Sequence, residues 1–73
     1  MSFGQKLREI RRAKGLTQQG LADKAGIPQT TISGWENAGY LPNLIDGYKV
    51  AVALGISISD LLEDDQQTTG TDG

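Results

Sequence analysis

Apolar residues recur three or four positions apart along most of this chain, interrupted at short intervals by glycine, proline or asparagine. Phe3, Leu7 and Ile10 hold helical spacing, which predicts a first helix from about Phe3 to Lys14 with those three facing inward. Gly15 follows as a stop, since it tolerates the left-handed turn that ends a helix. Thr17 is a good N-cap, its hydroxyl able to accept from a backbone amide one turn on. A second helix then runs to about Ala25 and buries Leu21, Ala22 and Ala25. Gly20 inside it costs roughly 1 kcal/mol against alanine, and Gly26 ends it.

Pro28 suits the first turn of a third helix. Ile32 and Trp35 form its inner face. Gln29, Ser33 and Asn37 lie four apart on another face, joined by Thr30 and Gly34. That outer face is almost uncharged, whereas a merely solvated helix more often carries Lys and Glu. The segment Asn37 to Asn43 is a loop marked by Gly39 and Pro42. Asn43 caps a fourth helix of about Leu44 to Leu54, with Leu44, Tyr48, Ala51 and Leu54 inward and Val50 alongside. Gly55 closes it. Ser57 opens a short fifth helix with Asp60 three residues on, close to a capping box. Leu61 and Leu62 are expected to close the core. Beyond about Asp64 the chain holds only Asp, Gln, Thr and Gly, so residues 64–73 are expected to be a disordered acidic tail to a domain of residues 1–63.

Seventy-three residues suffice for one domain with a small core. Without cysteine or histidine the chain lacks disulfides, thiolate metal sites and the commonest general base. No metal, no cofactor and no catalysis are therefore expected, and no acid–base pair or activated nucleophile is visible. The start, Met-Ser-Phe-Gly-Gln-Lys, lacks the apolar stretch of a signal peptide, and no apolar run is long enough for a membrane span. A cytoplasmic location is the expectation.

The net charge of −2 argues against a nucleic-acid partner until its distribution is considered. All seven basic residues (Lys6, Arg8, Arg11, Arg12, Lys14, Lys24 and Lys49) precede residue 50. Four acids oppose them before residue 60, a balance of +3, and five acids follow. This asymmetry permits DNA binding without establishing it, since a solvated helix with an acidic tail has the same pattern.

Several linked motifs carry a family resemblance: Leu7-x-x-Ile10-Arg11, Gly15-Leu16-Thr17-Gln18, Leu21-Ala22-x-x-Ala25-Gly26, Ile32-x-x-Trp35-Glu36, Pro42-x-Leu44, and Ala53-Leu54-Gly55-Ile56-Ser57 leading to Leu61-Leu62. Each is weak alone and specific in this order. Over about Phe3 to Leu62 the chain resembles the Cro/CI repressor type of helix-turn-helix domain, which includes the xenobiotic-response-element regulators. The resemblance implies an all-α, five-helix lambda-repressor-like fold whose second and third helices form the DNA-binding unit. It implies a sequence-specific transcriptional regulator, a repressor that occupies an operator. The alternative is a protein-interaction module of the antitoxin or coactivator-like kind.

Carried over residue by residue, the resemblance places Gln29, Thr30, Ser33 and Gly34 at the base edges. Gln29 suits the paired acceptor and donor of adenine. Thr17, Gln18, Thr31, Asn37, Tyr40 and Arg12 fall to the phosphates, with Gln18 also bracing Gln29. For Arg8 and Arg12, reaching the DNA backbone and simple solvation are both open. The family commonly pairs Arg11 with Glu36, which makes Arg11 a structural residue. Trp35, on the Ile32 face, belongs to the core and not to a DNA-stacking surface.

The chain departs from the family where Gly34 stands for a frequent Arg or Lys and Ala38-Gly39-Tyr40-Leu41 for a basic run. Fewer cations mean weaker binding and a shallower salt dependence. Gly47 stands for a usual core leucine, with Tyr48 expected to fill its volume. Gly20 and Gly47 both weaken helices, so modest stability is expected unless packing compensates. Weak binding to one half-site is remedied by a homodimer, at least on DNA, and Leu41, Ile45 and Val52 are candidates for its contact, or else scattered surface groups.

Overall fold

The computed structural model describes residues 2–62. Four helices follow in order: α1 Phe3–Ala13, α2 Gln18–Ala25, α3 Gln29–Asn37 and α4 Leu44–Leu54. A fifth, α5, occupies 58–62, and no strand occurs among the described residues. The acidic tail expected over 64–73 lies outside them.

Each start has a local cause. Ser2 and Gln5 form a capping box that opens α1, the Ser2 hydroxyl accepting from the Gln5 amide at 3.2 Å and the Gln5 side chain accepting from the Ser2 amide at 3.1 Å. Thr17 caps α2 by accepting from the Gly20 amide at 2.9 Å, and Asn43 caps α4 by accepting from the Asp46 amide at 2.7 Å. Pro28 is the N-cap of α3 rather than its first helical residue, and α3 has no side-chain cap. At α5 the Asp60 carboxylate accepts from the Ser57 amide at 3.1 Å, while the Ser57 hydroxyl pairs with that of Ser59. Only half of the anticipated capping box forms. Gly26 closes α2 in the left-handed region at φ 74° and turns the chain toward α3.

The core gathers Phe3, Leu7, Leu21, Ala22, Ile32, Trp35, Val50, Ala51, Ala53, Leu54 and Leu61. Helix α1 packs on α3, and α2 packs on both α3 and α4. Phe3 meets Trp35 edge to face, with ring centroids 5.8 Å apart. Gly4 is buried beside them, so near α3 that a Cβ there would run into the Trp35 carbonyl oxygen. Its role is to let two backbones approach, which periodicity does not reveal.

Helix α4 lies rolled about its axis from the expected orientation. Gly47, Val50, Ala51, Ala53 and Leu54 are buried, whereas Leu44 and Tyr48 are 78% and 63% exposed. Apolar residues surround α4 on nearly every side, so spacing alone does not select the inner stripe. Tyr48 therefore does not fill the volume beside Gly47. Ile58 and Pro42 do, at 3.2 and 3.7 Å from where a Gly47 Cβ would sit. Leu61 is buried as expected, but Leu62 is exposed.

Candidate nucleic-acid interface

Helices α2 and α3 meet at the Gly26 turn, and α3 carries its core residues on one side only. Ile32, Trp35 and Glu36 are buried. Thr30 and Asn37 are exposed, and Gln29, Thr31, Ser33 and Gly34 are half-buried. The outward surface of α3 thus consists of amides, hydroxyls and one bare backbone position.

One carboxylate organises that surface from behind. Arg11 forks onto Glu36, Nε to Oε2 and Nη2 to Oε1, both at 2.8 Å. The third guanidinium nitrogen donates to the Leu16 carbonyl at 2.8 Å, tying α1 to the turn before α2. Arg8 adds a contact from Nε to Glu36 Oε1 at 3.3 Å. Gln18 donates to the same oxygen at 3.1 Å. Glu36 therefore collects donors from α1 and from α2, and its side chain is wholly buried.

Burial alone would push the Glu36 carboxyl upward. The hydrogen bonds from Arg11, Gln18 and Arg8, with the Arg11 charge, outweigh it and hold the group below its ordinary value. The Arg11 guanidinium is pushed up, chiefly by its hydrogen bond to Glu36. Both groups are charged at neutral pH.

The charge on Glu36 sets the direction of the hydrogen bonds beyond it. A carboxylate only accepts, so Gln18 must turn its amide nitrogen toward it. The Gln18 amide oxygen then faces Gln29 and accepts from Gln29 Nε2 at 2.7 Å. Gln29 is left with its carbonyl oxygen and one amide hydrogen uncommitted, the acceptor–donor pair that matches adenine in the major groove.

A second chain leaves the same carboxylate. Arg8 Nη2 donates to Asn37 Oδ1 at 2.7 Å, and Asn37 Nδ2 donates to Ser33 Oγ at 3.0 Å. With its oxygen engaged, Ser33 retains a free hydroxyl proton. The sequence alone leaves Arg8 open between DNA backbone and solvent; its position three residues before Arg11 is the signal that both face α3.

The remaining residues fall around this frame. Thr17 is exposed at the start of α2 and commits its hydroxyl to the Gly20 amide. Arg12 is exposed on α1, away from the Glu36 cluster. Tyr40 is 67% exposed, and its ring lies against Gly34. No group of His, Cys, Asp or Glu able to hold a metal occurs among the described residues, and no described helix is long and apolar enough to cross a membrane.

The family described as Helix-turn-helix matches residues 7–61. The chain belongs to this family, in its Cro/CI type, whose members are DNA-binding transcriptional regulators. Two solved helix-turn-helix structures share its fold. The restriction-modification controller protein C.AhdI from Aeromonas hydrophila is 41% identical with a TM-score of 0.77, covering 81% of this chain and 89% of that one. The SinR protein, from a SinR–SinI complex, is 29% identical with a TM-score of 0.81, covering 97% of this chain and 68% of that one. The helix-turn-helix transcriptional activator BcrR of Enterococcus faecalis is 32% identical over 69 residues, or 94% of this chain. The chain spans about a third of that activator's length, 34%.

Proposed function

We propose that this helix-turn-helix protein is a repressor that binds operator DNA by laying the N-terminal end of α3 in the major groove. It acts by binding and not by catalysis, in the cytoplasm where the DNA is. The observation that carries this reading is the relay from Glu36 through Gln18 to Gln29. A buried charge and two glutamines hold one amide at the start of α3, an expensive arrangement for a residue with only solvent to meet. In this reading Gln29, Thr30 and Ser33 face bases, and Thr17, Gln18, Thr31, Asn37, Arg12 and the Tyr40 hydroxyl face phosphates. Gly34 belongs to the same reading face by making room for the Tyr40 ring that lies against it. Arg11 and Glu36 serve the frame behind them. Selection of bound duplexes from a random pool tests the reading. A preferred site that loses its preference at one base pair of each half-site in Gln29→Ala supports it, and binding that ignores sequence sinks it.

The protein works as a homodimer on a two-fold symmetric site. Leu41, Ile45 and Val52 are exposed, as are Leu44 and Tyr48 on the same helix or its approach. Of these, Leu41 and Leu44 line an apolar groove of about 290 Å³ between the loop before α4 and α5. A second copy of this chain covers that face and sets the two α3 helices about one turn of DNA apart. The same face favours a second reading, a module that holds a partner protein. Sedimentation of the protein alone, and then with the selected duplex, separates the two: dimer on DNA supports the first, and monomer throughout supports the second.

A further inference from the structure

Gly34 sits four residues after Thr30 and three before Asn37, so a side chain there would point out of the same face of α3. That direction is already filled. An ideal Cβ on Gly34 would lie 2.9 Å from Tyr40 Cδ2, 3.5 Å from Cε2 and 4.0 Å from Cγ. The Tyr40 ring thus occupies the space that a residue 34 side chain would take. The backbone holds it there: the Tyr40 amide donates to the Gly34 carbonyl at 3.3 Å, and Gly39 at φ 79° reverses the chain to bring it back. Yet Tyr40 as a whole is 67% exposed. The ring rests on Gly34, on the face of α3 that by helical spacing also carries Thr30 and Asn37.

We propose that Tyr40 is a specificity-determining residue: its ring, seated on Gly34, stands in for the missing side chain and packs against the 5-methyl group of a thymine in the operator. This rests on the reading of α3 as the element in the major groove. An aromatic carbon surface offers no hydrogen-bond code, and the thymine methyl is the one apolar feature of a base edge that it can select. The hydroxyl, at the far end of the ring, remains available to a phosphate. Gly34 and Tyr40 then form one reading unit, and changing either alters the same base pair.

The test uses the duplex selected from a random pool by the full chain, with each thymine replaced in turn by uracil, which removes only the methyl group. One thymine in each half-site is expected to show an affinity loss of about threefold to fivefold, the size of one buried methyl group. Tyr40→Phe keeps that loss. Tyr40→Ala removes it, and so does Gly34→Ala, whose added Cβ displaces the ring. Circular dichroism verifies that each variant is folded. A uracil penalty that persists in Tyr40→Ala, or no penalty at any thymine, overturns the proposal while base preference through Gln29 still stands. Failure of the wild-type chain to select any duplex overturns both.

Discussion

The buried carboxylate of Glu36 accepts a hydrogen bond from the side-chain amide of Gln18, at 3.1 Å. This contact joins the stabilising machinery of the domain to its outward surface. The same group that neutralises Arg11 also decides which end of Gln18 faces Gln29.

Replacing Glu36 by Gln is expected to destabilise the fold by about 3 kcal/mol at pH 7, because it leaves the Arg11 guanidinium buried without its counter-charge. The pH dependence has a definite sign. The Glu36 carboxyl is held below its ordinary value, so its contribution is complete above the usual carboxylate range. It is lost as pH falls from that range through the depressed folded value. Urea midpoints of wild type and Glu36→Gln, measured from pH 7 down to pH 3, should converge on acidification.

Gln18 tests the relay without touching the core. It is half-buried and is not a member of the apolar core. Gln18→Ala should cost about 1.5 kcal/mol of stability, the scale of one lost hydrogen bond to a charged group, and should also weaken operator binding because Gln29 loses its brace. A melting curve and a binding isotherm on the same sample check both halves.

Gln29→Ala should relax preference at a single base pair of each half-site, by roughly 1–3 kcal/mol of discrimination. The affected pair is expected to be adenine-containing. Competition between duplexes differing at one position at a time reads this directly.

Cation content predicts a shallow salt response. Arg8 and Arg11 are engaged with Glu36, which leaves Arg12 as the exposed arginine of α1. Arg12→Ala should lower affinity for all duplexes alike. It should also reduce the slope of log affinity against log salt by about one unit, the share of one phosphate contact.

The apolar face of α4 predicts the assembly. Ile45→Glu leaves the monomer fold intact, since Ile45 is 68% exposed. It should abolish dimer formation on DNA and weaken operator binding, as followed by sedimentation and gel shift.

The first three helices were legible because their apolar spacing is narrow and their caps are local signals. Phe3, Leu7, Leu21, Ile32 and Trp35 all point inward as the spacing predicts. Helix α4 was not, because a helix apolar on nearly all sides carries no single stripe, and the roll is set by Pro42 and Ile58 closing over Gly47. Gly4 was equally silent, since its importance lies in how near the backbone of α3 comes. Among the candidate site residues, Arg11 and Glu36 could be paired by resemblance. The reach of Arg8 to Asn37, and of Tyr40 back over Gly34, depends on tertiary geometry that no local pattern encodes.

Helices α1, α2 and α3 are clamped together at one carboxylate, which leaves them little freedom to hinge against one another. In the proposed dimer, each such inflexible half would meet its half-site as a fixed surface. The duplex must do the yielding, by bending or twisting between the half-sites. Base pairs the protein never touches should then govern affinity through their stiffness, with readily deformed steps favoured at the centre of the site.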